Sequence, residues 1–477
     1  MDKQSLISTP GARIVIVGGG AGGLELAVRL ARAGHDDVVL VDRQTTHVWK
    51  PRLHEVAAGL GRRHVDALGY AGLAETWGFR FECGTLESID VEHQQITLAS
   101  IHGPISECSI DGQSRALPQD TRIEVPSRVL DYRQLVLALG GVTPDMGVEG
   151  VLEHACLLDT PEDAERIAER YSRGLLAHHV RHGMSVCETA GETDESTQAA
   201  VNTPYRVVIV GSGATGVELA AYLASGAHSA LEAPAHGDNE VEITILEATE
   251  TFMPGVSETL REAIHQRLVA AGIRIELSCQ VSAVTPDQVK TAAQEGDETS
   301  ESIFASDLVI WAAGRVGPPI VERIEALASN KKRQWSVTNG LQCLEQDAIF
   351  ALGDCSCIEN SPVPPTAQVA SEQAEFLAEE LPRRLKGEAP REFVFDDKGT
   401  LLSLGAAGSV GELTGKLTDR FSGQGHDDLQ VRGRFARAAY HGLQRQHQFV
   451  LLGPVKGTAE AVSDAFRRTL SPRLKVH

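Results

Sequence analysis

Residues 12–42 read ARIVIVGGGAGGLELAVRLARAGHDDVVLVD, and this stretch decides the fold. It opens with a short run of β-branched residues bounded by glycine, which predicts a buried parallel strand. A glycine-rich turn of the form G-x-G-x-x-G follows, then a helix-forming run and a second short strand that ends at Asp42. Strand, glycines, helix, strand and acid in this order predict a βαβ unit that binds a dinucleotide.

Each glycine of this turn has a separate physical role. Gly18 permits the tight turn, Gly20 lets a pyrophosphate approach the backbone, and Gly23 lets the helix pack closely on the strand. The start of the helix adds free N–H groups and a partial positive charge for the phosphates. Asp42 lies 22 residues after Gly20 and can accept hydrogen bonds from ribose hydroxyls. A glycine-rich turn without a ligand is the alternative interpretation.

The same construction recurs from residue 205, where YRVVIV leads into GSGATG and a second helix-forming run. Gly211, Gly213 and Gly216 take the three glycine positions, and a later strand ends at Glu247. An acid there, with no Arg beside it, favours a free ribose 2′-hydroxyl over a 2′-phosphate. The second site is therefore predicted to bind NAD(H), and two dinucleotide sites in one chain indicate a flavoprotein.

Two later strands end in short glycine turns. LVLALGG (135–141) contains Gly140, and LVIWAAG (308–314) ends at Gly314. In flavoproteins with two dinucleotide sites, such turns mark where the chain crosses between the domains.

A third strand, IFALGDCS (349–356), delivers Gly353 and Asp354. The Asp354 carboxylate can hydrogen-bond flavin hydroxyls, and a simple turn or capping residue is the alternative. A helix is predicted over 364–381, with Pro382 ending it. The start of that helix would stabilise the negative charge of a reduced flavin.

These signals predict an α/β fold with two Rossmann-like dinucleotide-binding domains and a C-terminal membrane-docking segment. The FAD-binding domain is expected to be discontinuous, over 1–165 and 330–395, with the NADH-binding domain inserted at 166–329. Residues 396–477 are expected to form a hairpin and an amphipathic helix that anchor the chain to a membrane.

Composition excludes several classes. The chain has 477 residues and a formal charge of −21, which makes nucleic acid a poor partner. The eight cysteines form no Cys-x-x-Cys pair, so neither a metal site nor a disulfide framework is predicted. The polar start of the chain has no export signal, and no apolar run reaches the ~18 residues of a membrane span. The sequence predicts a protein of the cytosolic side with free thiols.

Several motifs together carry a specific resemblance: HVWKPRLHEVAAG (47–59), GSGATGVELA, VIWAAG, ALGDC, PPTAQVA and the ending RQHQFVLLG…LSPRLKVH. With these motifs the chain resembles the type II NADH:quinone oxidoreductases, the single-subunit, non-proton-pumping enzymes, of the proteobacterial kind. The resemblance implies a respiratory enzyme that passes a hydride from NADH to FAD, and then two electrons to a membrane quinone such as ubiquinone.

The resemblance also implies where the cofactors bind. FAD is expected at Gly20, Gly23, Asp42, the 47–53 loop and Asp354, and NADH at Gly213, Gly216 and Glu247. The other residues expected to bind or border the cofactors are Gly18, Arg43, Lys50, Pro51, Gly140, Gly353, Gln368, Gly211, Glu218 and Gly314.

The resemblance suggests catalytic residues as well. Glu218 matches a family glutamate near the nicotinamide, where it would position the ring or pass protons; a plain helix-surface carboxylate is the alternative. The pair at 367–368 resembles a quinone-site motif in which a second Gln follows four positions after Gln368. Here Glu372 stands at that position and Gln373 comes next.

This departure bears on the quinone contact, because an ionised Glu accepts hydrogen bonds but cannot donate one to a quinone carbonyl. Either Glu372 is protonated, or Gln373 substitutes after a small helix rotation, or Gln368 acts alone. Two acidic insertions, 191–198 and 294–302, also depart from the family and are predicted to be solvated loops.

The C-terminal segment is basic, with nine Lys or Arg against two acids from residue 431 onward. Apolar residues recur there at helical spacing, at Val455, Ala459, Val462, Phe466 and Leu470. A basic amphipathic helix can lie in an anionic bilayer surface, and packing on the protein's own core is the alternative. The chain is expected to be monotopic, on the cytoplasmic face of the inner (cell) membrane.

Other flavoprotein classes fit less well. A disulfide reductase requires a Cys pair beside the flavin, and residues 43–82 contain no Cys. A sulfide:quinone oxidoreductase would use Cys156 with Cys355 or Cys357, but its chemistry needs no second dinucleotide site. A redox-sensing protein that holds FAD and NAD without turnover is the non-enzyme alternative. The sequence leaves open the type of quinone, the order of binding and whether the chain forms a homodimer.

Overall fold

A computed structural model describes residues 7–60, 67–104, 108–110, 113–115, 122–188, 203–230, 241–295, 298–414 and 429–470. The helices in the described chain are α1 Ala21–Arg32, α2 Leu53–Ala57, α3 Tyr70–Trp77, α4 Val151–His154, α5 Pro161–Glu188, α6 Ala214–Ala230, α7 Glu258–Ala270, α8 Ile320–Arg323, α9 Ala367–Leu385 and α10 Gly433–Leu470. Short 3₁₀ turns lie at Lys50–Arg52, Gly353–Cys355 and Gly405–Ala407.

The strands, in chain order, are β1 Ile7–Val17, β2 Val38–Asp42, β3 Thr46–His47, β4 Leu68–Gly69, β5 Arg80–Cys83, β6 Leu86–Asp90, β7 Gln95–Leu98, β8 Ile101–Pro104, β9 Cys108–Ile110, β10 Gln113–Arg115, β11 Arg122–Val125, β12 Arg128–Leu137, β13 Ala155–Leu157, β14 Tyr205–Val210, β15 Val241–Leu246, β16 Ile273–Glu276, β17 Gln280–Val284, β18 Gln288–Glu295, β19 Glu298–Ala305, β20 Leu308–Trp311, β21 Trp335–Val337, β22 Ile349–Ala351, β23 Ser356–Ile358, β24 Thr400–Ser403, β25 Ser409–Leu413 and β26 Leu429–Arg432.

The first sheet has the order β5-β2-β1-β12-β7-β6, and β22 also pairs with β12. Its centre is parallel: Val15 of β1 lies opposite Val39 of β2 on one side and Leu135 of β12 on the other. All three side chains are fully buried. Strands that are apolar on both faces need cover on both faces, as parallel sheets have. The predicted first βαβ unit is confirmed.

The second sheet has the order β13-β20-β14-β15-β16 and is parallel throughout. Ile209 of β14 lies between Ile245 of β15 and Ile310 of β20, and all three are fully buried. The α/β fold with two Rossmann-like units is therefore confirmed.

The chain leaves the first sheet after β12, builds the second, and returns to the first with β22. Strand β13, before the expected boundary at 165, pairs within the second sheet. The C-terminal region contributes to both cores, because Leu402 and Val410 pack into the second and Leu451 into the first. The domain limits themselves stay a prediction.

Pro382 does not end its helix, contrary to expectation. Helix α9 continues one turn further to Leu385, with Pro382 inside it. A proline in a helix interior removes a backbone hydrogen bond. Here the flanking turn is held by tertiary contacts, since Leu377 and Leu381 are fully buried and Arg384 donates to Gln342 at 3.1 Å.

The second acidic stretch is not a loop, as the sequence predicted, but mostly strand. Residues 294–295 end β18 and residues 298–302 begin β19, and the two strands pair antiparallel. Polar side chains are compatible with strand structure where they face solvent, as Glu301 and Ser302 do. The first acidic stretch, 191–198, lies outside the described residues.

Helix α10 is broken at Gly453, whose backbone has φ 75° and ψ 170°. Pro454 follows directly, and a residue before proline is disfavoured in the helical region. Before the break Leu451 is fully buried; after it Val455 is 81% and Val462 51% exposed. Among the described residues, no helix has the length and hydrophobicity needed to cross a bilayer.

Candidate functional site

The first glycine turn connects β1 to α1. Gly18 has φ +109°, and a Cβ there would overlap the carbonyl oxygen of Ala138, which directly follows the neighbouring strand β12. A Cβ at Gly23 would overlap the oxygen of Gly18 itself. A Cβ at Gly20, in contrast, would have no atom within 4 Å. Two glycines are thus needed to build the turn, and the third leaves an open face for a phosphate.

The second glycine turn repeats this geometry between β14 and α6. Gly211 has φ +106° and lies against the Ala312 backbone, while a Cβ at Gly216 would overlap the oxygen of Gly211. Gly213 faces open space as Gly20 does. Both turns therefore fit a bound pyrophosphate at the start of a helix.

The two predicted acids, Asp42 and Glu247, each accept hydrogen bonds from the backbone of the glycine turn in their own βαβ unit. Asp42 accepts from the Gly19 N–H at 2.6 Å and from the Gln44 N–H at 2.7 Å. Glu247 accepts from the Ser212 N–H at 3.0 Å and from the Ser212 hydroxyl at 2.5 Å.

Both oxygens of Glu247 are engaged, because Thr249 donates its N–H and its hydroxyl to the second one, each at 3.0 Å. Burial alone would raise the pKa of Glu247, but the hydrogen bonds from Ser212 and Thr249 outweigh it and lower the pKa. The carboxylate is therefore ionised and oriented at the end of β15, where it can accept from ribose hydroxyls.

The two predicted crossing turns pair with each other. Gly140 and Gly314 both have positive φ, and the following residues form a bridge in which Val142 and Val316 exchange N–H···O bonds at 2.8 and 3.0 Å. Arg315, the residue after Gly314, donates to Asp354 at 2.7 Å.

Asp354 thus lies where the two crossings meet. Arg315 also pairs with Asp159 at 3.5 Å, and Asp159 accepts from Thr143. Lys50 interacts with the charges of Arg315, Asp159 and Asp354 as well. Its side chain keeps an exposed surface, but desolvation by the surrounding protein atoms, and then repulsion from Arg315, lower its pKa. Sequence reasoning missed Arg315, Asp159 and Thr143, which no local motif indicates.

The other residues predicted to bind or border FAD lie on the turns that follow the strands of the first sheet and β3. Arg43 follows β2 directly and is exposed, Pro51 is exposed within the 3₁₀ turn after β3, and Gly353 opens the turn that carries Asp354. A Cβ at Gly140 would have no atom within 4 Å.

Glu218 lies on α6 but is not a surface carboxylate. It is 7% exposed, accepts from the Ser403 N–H at 2.9 Å and lies 3.5 Å from Nδ1 of His54. Burial raises the pKa of Glu218 to about 8, the Ser403 bond opposes the rise, and the charge of Glu55 adds to it. At neutral pH this carboxyl group is mostly protonated.

The surroundings of Glu218 come from four elements of the chain. Burial lowers the pKa of His54, on α2 of the first domain, to about 4, so its ring is neutral. Tyr222 on α6 shares a hydrogen bond of 2.8 Å with the hydroxyl of Ser403 on β24. Burial, and then the charge of Glu218, raise the pKa of Tyr440 on α10. His54 stands inside the quoted 47–59 motif, but Ser403 and Tyr440 carry no sequence signal.

The three candidates on α9 are separated by the structure. Gln373 is 1% exposed, and its side-chain oxygen accepts from the Gly353 N–H at 2.7 Å. Gln368 and Glu372 lie instead against the segment 396–398: Gln368 donates to the Asp396 oxygen at 3.2 Å, and Glu372 accepts from the Asp396 N–H at 3.1 Å. Gln373 therefore supports the turn that carries Asp354.

Glu372 has a partner that the sequence did not indicate. Lys398 lies 2.7 Å from its Oε1, and Gln368 donates to the same oxygen at 3.4 Å. An amide offers one acceptor and one donor side; a Glu–Lys pair offers the same two functions with charges. The departure from the Gln pattern is thus accompanied by a neighbouring lysine.

Of the cysteines named for the sulfide:quinone alternative, Cys357 is half-buried and the other two are buried. Cys156 and Cys355 are buried, and burial raises the pKa of Cys355 to about 12. The thiolate is the reactive form of cysteine. Among the described residues there is no group of three or more His, Cys, Asp or Glu that could hold a metal ion.

Known proteins resemble this chain over nearly its whole length. The family model of the pyridine nucleotide-disulphide oxidoreductases matches residues 12–374. The type II NADH:quinone oxidoreductase of Haemophilus influenzae is 32% identical over 97% of this chain and 99% of its own. That of Staphylococcus aureus, strain NCTC 8325, is 25% identical over 85% of this chain and 90% of its own.

Solved structures share the fold. A structure of NDH2 from Plasmodium falciparum in complex with NADH has a TM-score of 0.74, is 16% identical, and covers 98% of this chain and 100% of its own. The sulfide:quinone oxidoreductase of Aquifex aeolicus has a TM-score of 0.66 at 16% identity, over 98% and 96% of the two chains. By the family match and the 32% identity, the chain belongs to the pyridine nucleotide-disulphide oxidoreductases and, within them, to the type II NADH:quinone oxidoreductases.

Proposed function

We propose that this protein is an FAD-dependent enzyme that oxidises NADH and reduces a membrane quinone without pumping protons. The near-full-length match to a type II NADH:quinone oxidoreductase carries the proposal. The two glycine turns, each with its acid, support it from the geometry. Bound FAD supplies the ring that accepts a hydride and releases two electrons. The residues described below hold and orient the two cofactors and supply protons.

FAD is assigned to the first glycine turn, with Asp42 toward the ribose and Lys50, Arg315 and Asp354 around the crossing. NADH is assigned to the second turn, with Glu247 accepting from the ribose hydroxyls. The ionised carboxylate of Glu247 would repel a 2′-phosphate, which supports NADH over NADPH.

Glu218 is assigned to proton handling. It lies on the helix that starts at the second glycine turn and contacts His54 from the first domain. Quinone reduction consumes two protons, and a carboxyl group with a pKa of about 8 can hold a proton at neutral pH and release it.

The quinone head is assigned to the start of α9, at Gln368 and the Glu372–Lys398 pair. Gln373 is left to its supporting role, because its side-chain oxygen is taken by the Gly353 N–H. This choice favours donation by Lys398 or Gln368 to a quinone carbonyl, and acceptance by Glu372 from the hydroquinone hydroxyl that forms on reduction.

Membrane docking is assigned to the part of α10 after Gly453. Val455, Lys456 and Val462 are exposed there, which supports a basic amphipathic surface for anionic lipid on the cytoplasmic face. Phe466 has no described side chain, and Arg473 and Lys475 lie outside the described residues. A chain truncated before Val455 should no longer sediment with anionic vesicles; continued sedimentation would contradict this assignment.

An anaerobic spectrum tests the activity. NADH should bleach the flavin absorbance of the purified holoenzyme, and a short-chain ubiquinone should restore it. Bleaching by sulfide but not by NADH would move the protein to the sulfide:quinone oxidoreductases. Bleaching by NADH without recovery on quinone would support a redox sensor instead.

A further inference from the structure

His447 lies on α10 before the break at Gly453 and is buried in the first domain, 6% exposed. Its Nδ1 lies 3.3 Å from Oε2 of Glu25 on α1, and its Nε2 lies 3.2 Å from Nε2 of His47 in β3. The Trp49 ring packs on it with centroids 4.2 Å apart. Its partners are more than 390 positions away in the chain, so the contact joins the two ends of the molecule.

The proton positions follow from His47. Its Nδ1 lies 2.9 Å from the carbonyl oxygen of Gly19, which can only accept, so Nδ1 carries the proton. Burial, and then the charge of His447, lower the pKa of His47 to about 3, which keeps the ring neutral. A neutral ring with its proton on Nδ1 has a lone pair on Nε2. The 3.2 Å contact therefore requires His447 to donate from its own Nε2.

The other ring nitrogen of His447, Nδ1, faces Glu25. The Glu25 carboxylate is 1% exposed, accepts from the Ser371 hydroxyl at 2.7 Å and pairs with Arg29 at 2.7 Å. Burial alone would raise the pKa of Glu25, but the bond to His447, its charge, Ser371 and Arg29 outweigh it and lower the pKa. An ionised carboxylate only accepts, so His447 donates from Nδ1 as well.

His447 is thus held at both ring nitrogens inside the first domain. Its partner Glu25 also pairs with Arg29, which reaches Glu375 at 3.4 Å, and Arg32 on the same helix lies over Trp77 and donates to the Val450 oxygen. Loss of one partner of a buried hydrogen bond is unfavourable, because the desolvation of the remaining group is no longer compensated.

The far end of this chain of hydrogen bonds is the first glycine turn. The Gly19 oxygen accepts from His47 and from the Tyr70 hydroxyl at 2.7 Å, and the Gly19 N–H donates to Asp42. The peptide groups on both sides of Gly19 are thus fixed. Gly19 stands directly before Gly20, the open position for the phosphate.

We propose that His447 is a positioning residue that ties the C-terminal helix to the glycine turn, through Glu25 and His47, and holds that turn in its FAD-binding shape. The inference rests on the proposed FAD site at Gly18–Gly23. Because the segment that follows the break at Gly453 carries the exposed Val455 and Val462, the tie also lies next in the chain to the proposed membrane anchor.

Release of FAD from the holoenzyme tests this. After dilution, free FAD is followed by its fluorescence in wild type, His447→Gln, Glu25→Gln and the double variant. Each single variant should release FAD about tenfold faster or more, because it disrupts the Glu25–His447 contact and leaves a buried polar group without that partner. The double variant should lie closer to wild type than the two single effects combined. The matched control is His93→Gln, an exposed histidine of the same domain, which should behave as wild type.

Urea unfolding of holo- and apoprotein separates positioning from general packing. His447→Gln should lower the unfolding midpoint more in the holoprotein than in the apoprotein. Wild-type FAD release in His447→Gln, or equal losses in both forms, would overturn the inference. If His447→Gln does not fold, Glu25→Gln breaks the same pair from α1 and carries the test. An inactive wild type whose FAD release still depends on His447 would refute the proposed activity and not this inference.

Discussion

The two glycine turns have nearly the same backbone but are held differently. In each, the first and last glycine are enforced by close backbone contacts, and the middle one faces open space. In each, the acid at the end of the next strand accepts from the N–H of the residue after the first glycine, Gly19 or Ser212. The local βαβ chemistry is therefore the same twice.

The two turns differ in the contacts that they make with distant parts of the chain. The first is tied through His47 and Tyr70 to distant elements and, through His447, to the C-terminal helix. The second is tied within its own domain, where the Ser212 hydroxyl accepts from the Met253 N–H and donates to Glu247. A turn built into the core suits a cofactor that stays bound, and a self-contained turn suits one that leaves in every turnover.

The largest effects should come from breaking one turn at a time. Gly23→Val should yield protein without bound FAD, because the new side chain overlaps the Gly18 oxygen. Gly216→Val should leave a yellow protein whose flavin NADH no longer bleaches, for the same steric reason at Gly211. Absorbance spectra before and after NADH measure both. Gly72→Val, on an open helix surface, is the control; loss of FAD in Gly216→Val would contradict the independence of the turns.

Glu218 lies between the two domains, so its effect should differ from that of either turn. Its pKa of about 8 means that the proton is present at neutral pH and is lost as the pH rises through 8. The rate of flavin reoxidation by quinone should fall over that range, and Glu218→Gln should lower it about 100-fold and remove the pH dependence. Stopped-flow reoxidation at pH 6 to 9 measures this. Glu258→Gln, on the first turn of α7, is the control.

The same pKa gives a stability prediction with a definite sign. The folded pKa of about 8 exceeds 4.5, the ordinary pKa of a glutamate side chain, so the folded state binds more protons between these two pH values. The free energy of unfolding should therefore fall as pH rises across that window, by at most about 1.4 kcal/mol per pH unit. Glu218→Gln should flatten this slope; an unchanged slope would show that the carboxyl group is not protonated in the fold.

Sequence reasoning reached the parts of the molecule that are local in the chain. Both glycine turns and their strands depend on residues within a few positions of one another, so spacing alone predicts them. Residues whose roles depend on distant partners were missed or misjudged. Pro382 stays helical because buried leucines hold the turn, and Gln373 supports Gly353. Lys398 lies in no quoted motif, and His447 lies inside the quoted RQHQFVLLG ending, but the role of each depends on a residue that only the fold brings near.

Because the second turn is held within its own domain, a substitution at Glu247 should affect NADH binding and leave FAD binding unchanged. Glu247→Gln removes the charge that accepts from the ribose hydroxyls, and the KM for NADH should rise about tenfold, as expected for the loss of a charge-assisted hydrogen bond. FAD content should not change. Glu250→Gln, exposed on the loop just after, is the matched control. A loss of bound FAD in Glu247→Gln would show that the two turns are coupled after all.

The smallest effect is expected at Lys398, on neither glycine turn. Lys398→Met leaves the Glu372 carboxylate without its ion pair, and the KM for ubiquinone should rise about fivefold, equivalent to about 1 kcal/mol, while NADH still bleaches the flavin at the wild-type rate. Adding Glu372→Gln should restore the KM, because the amide supplies acceptor and donor together and needs no lysine. If the double variant is as impaired as Lys398→Met, the lysine contacts the quinone directly and does not act by neutralising Glu372. Steady-state kinetics with a short-chain ubiquinone distinguish these two roles of the lysine. Unchanged kinetics in both variants would show that this end of α9 is not part of the quinone site.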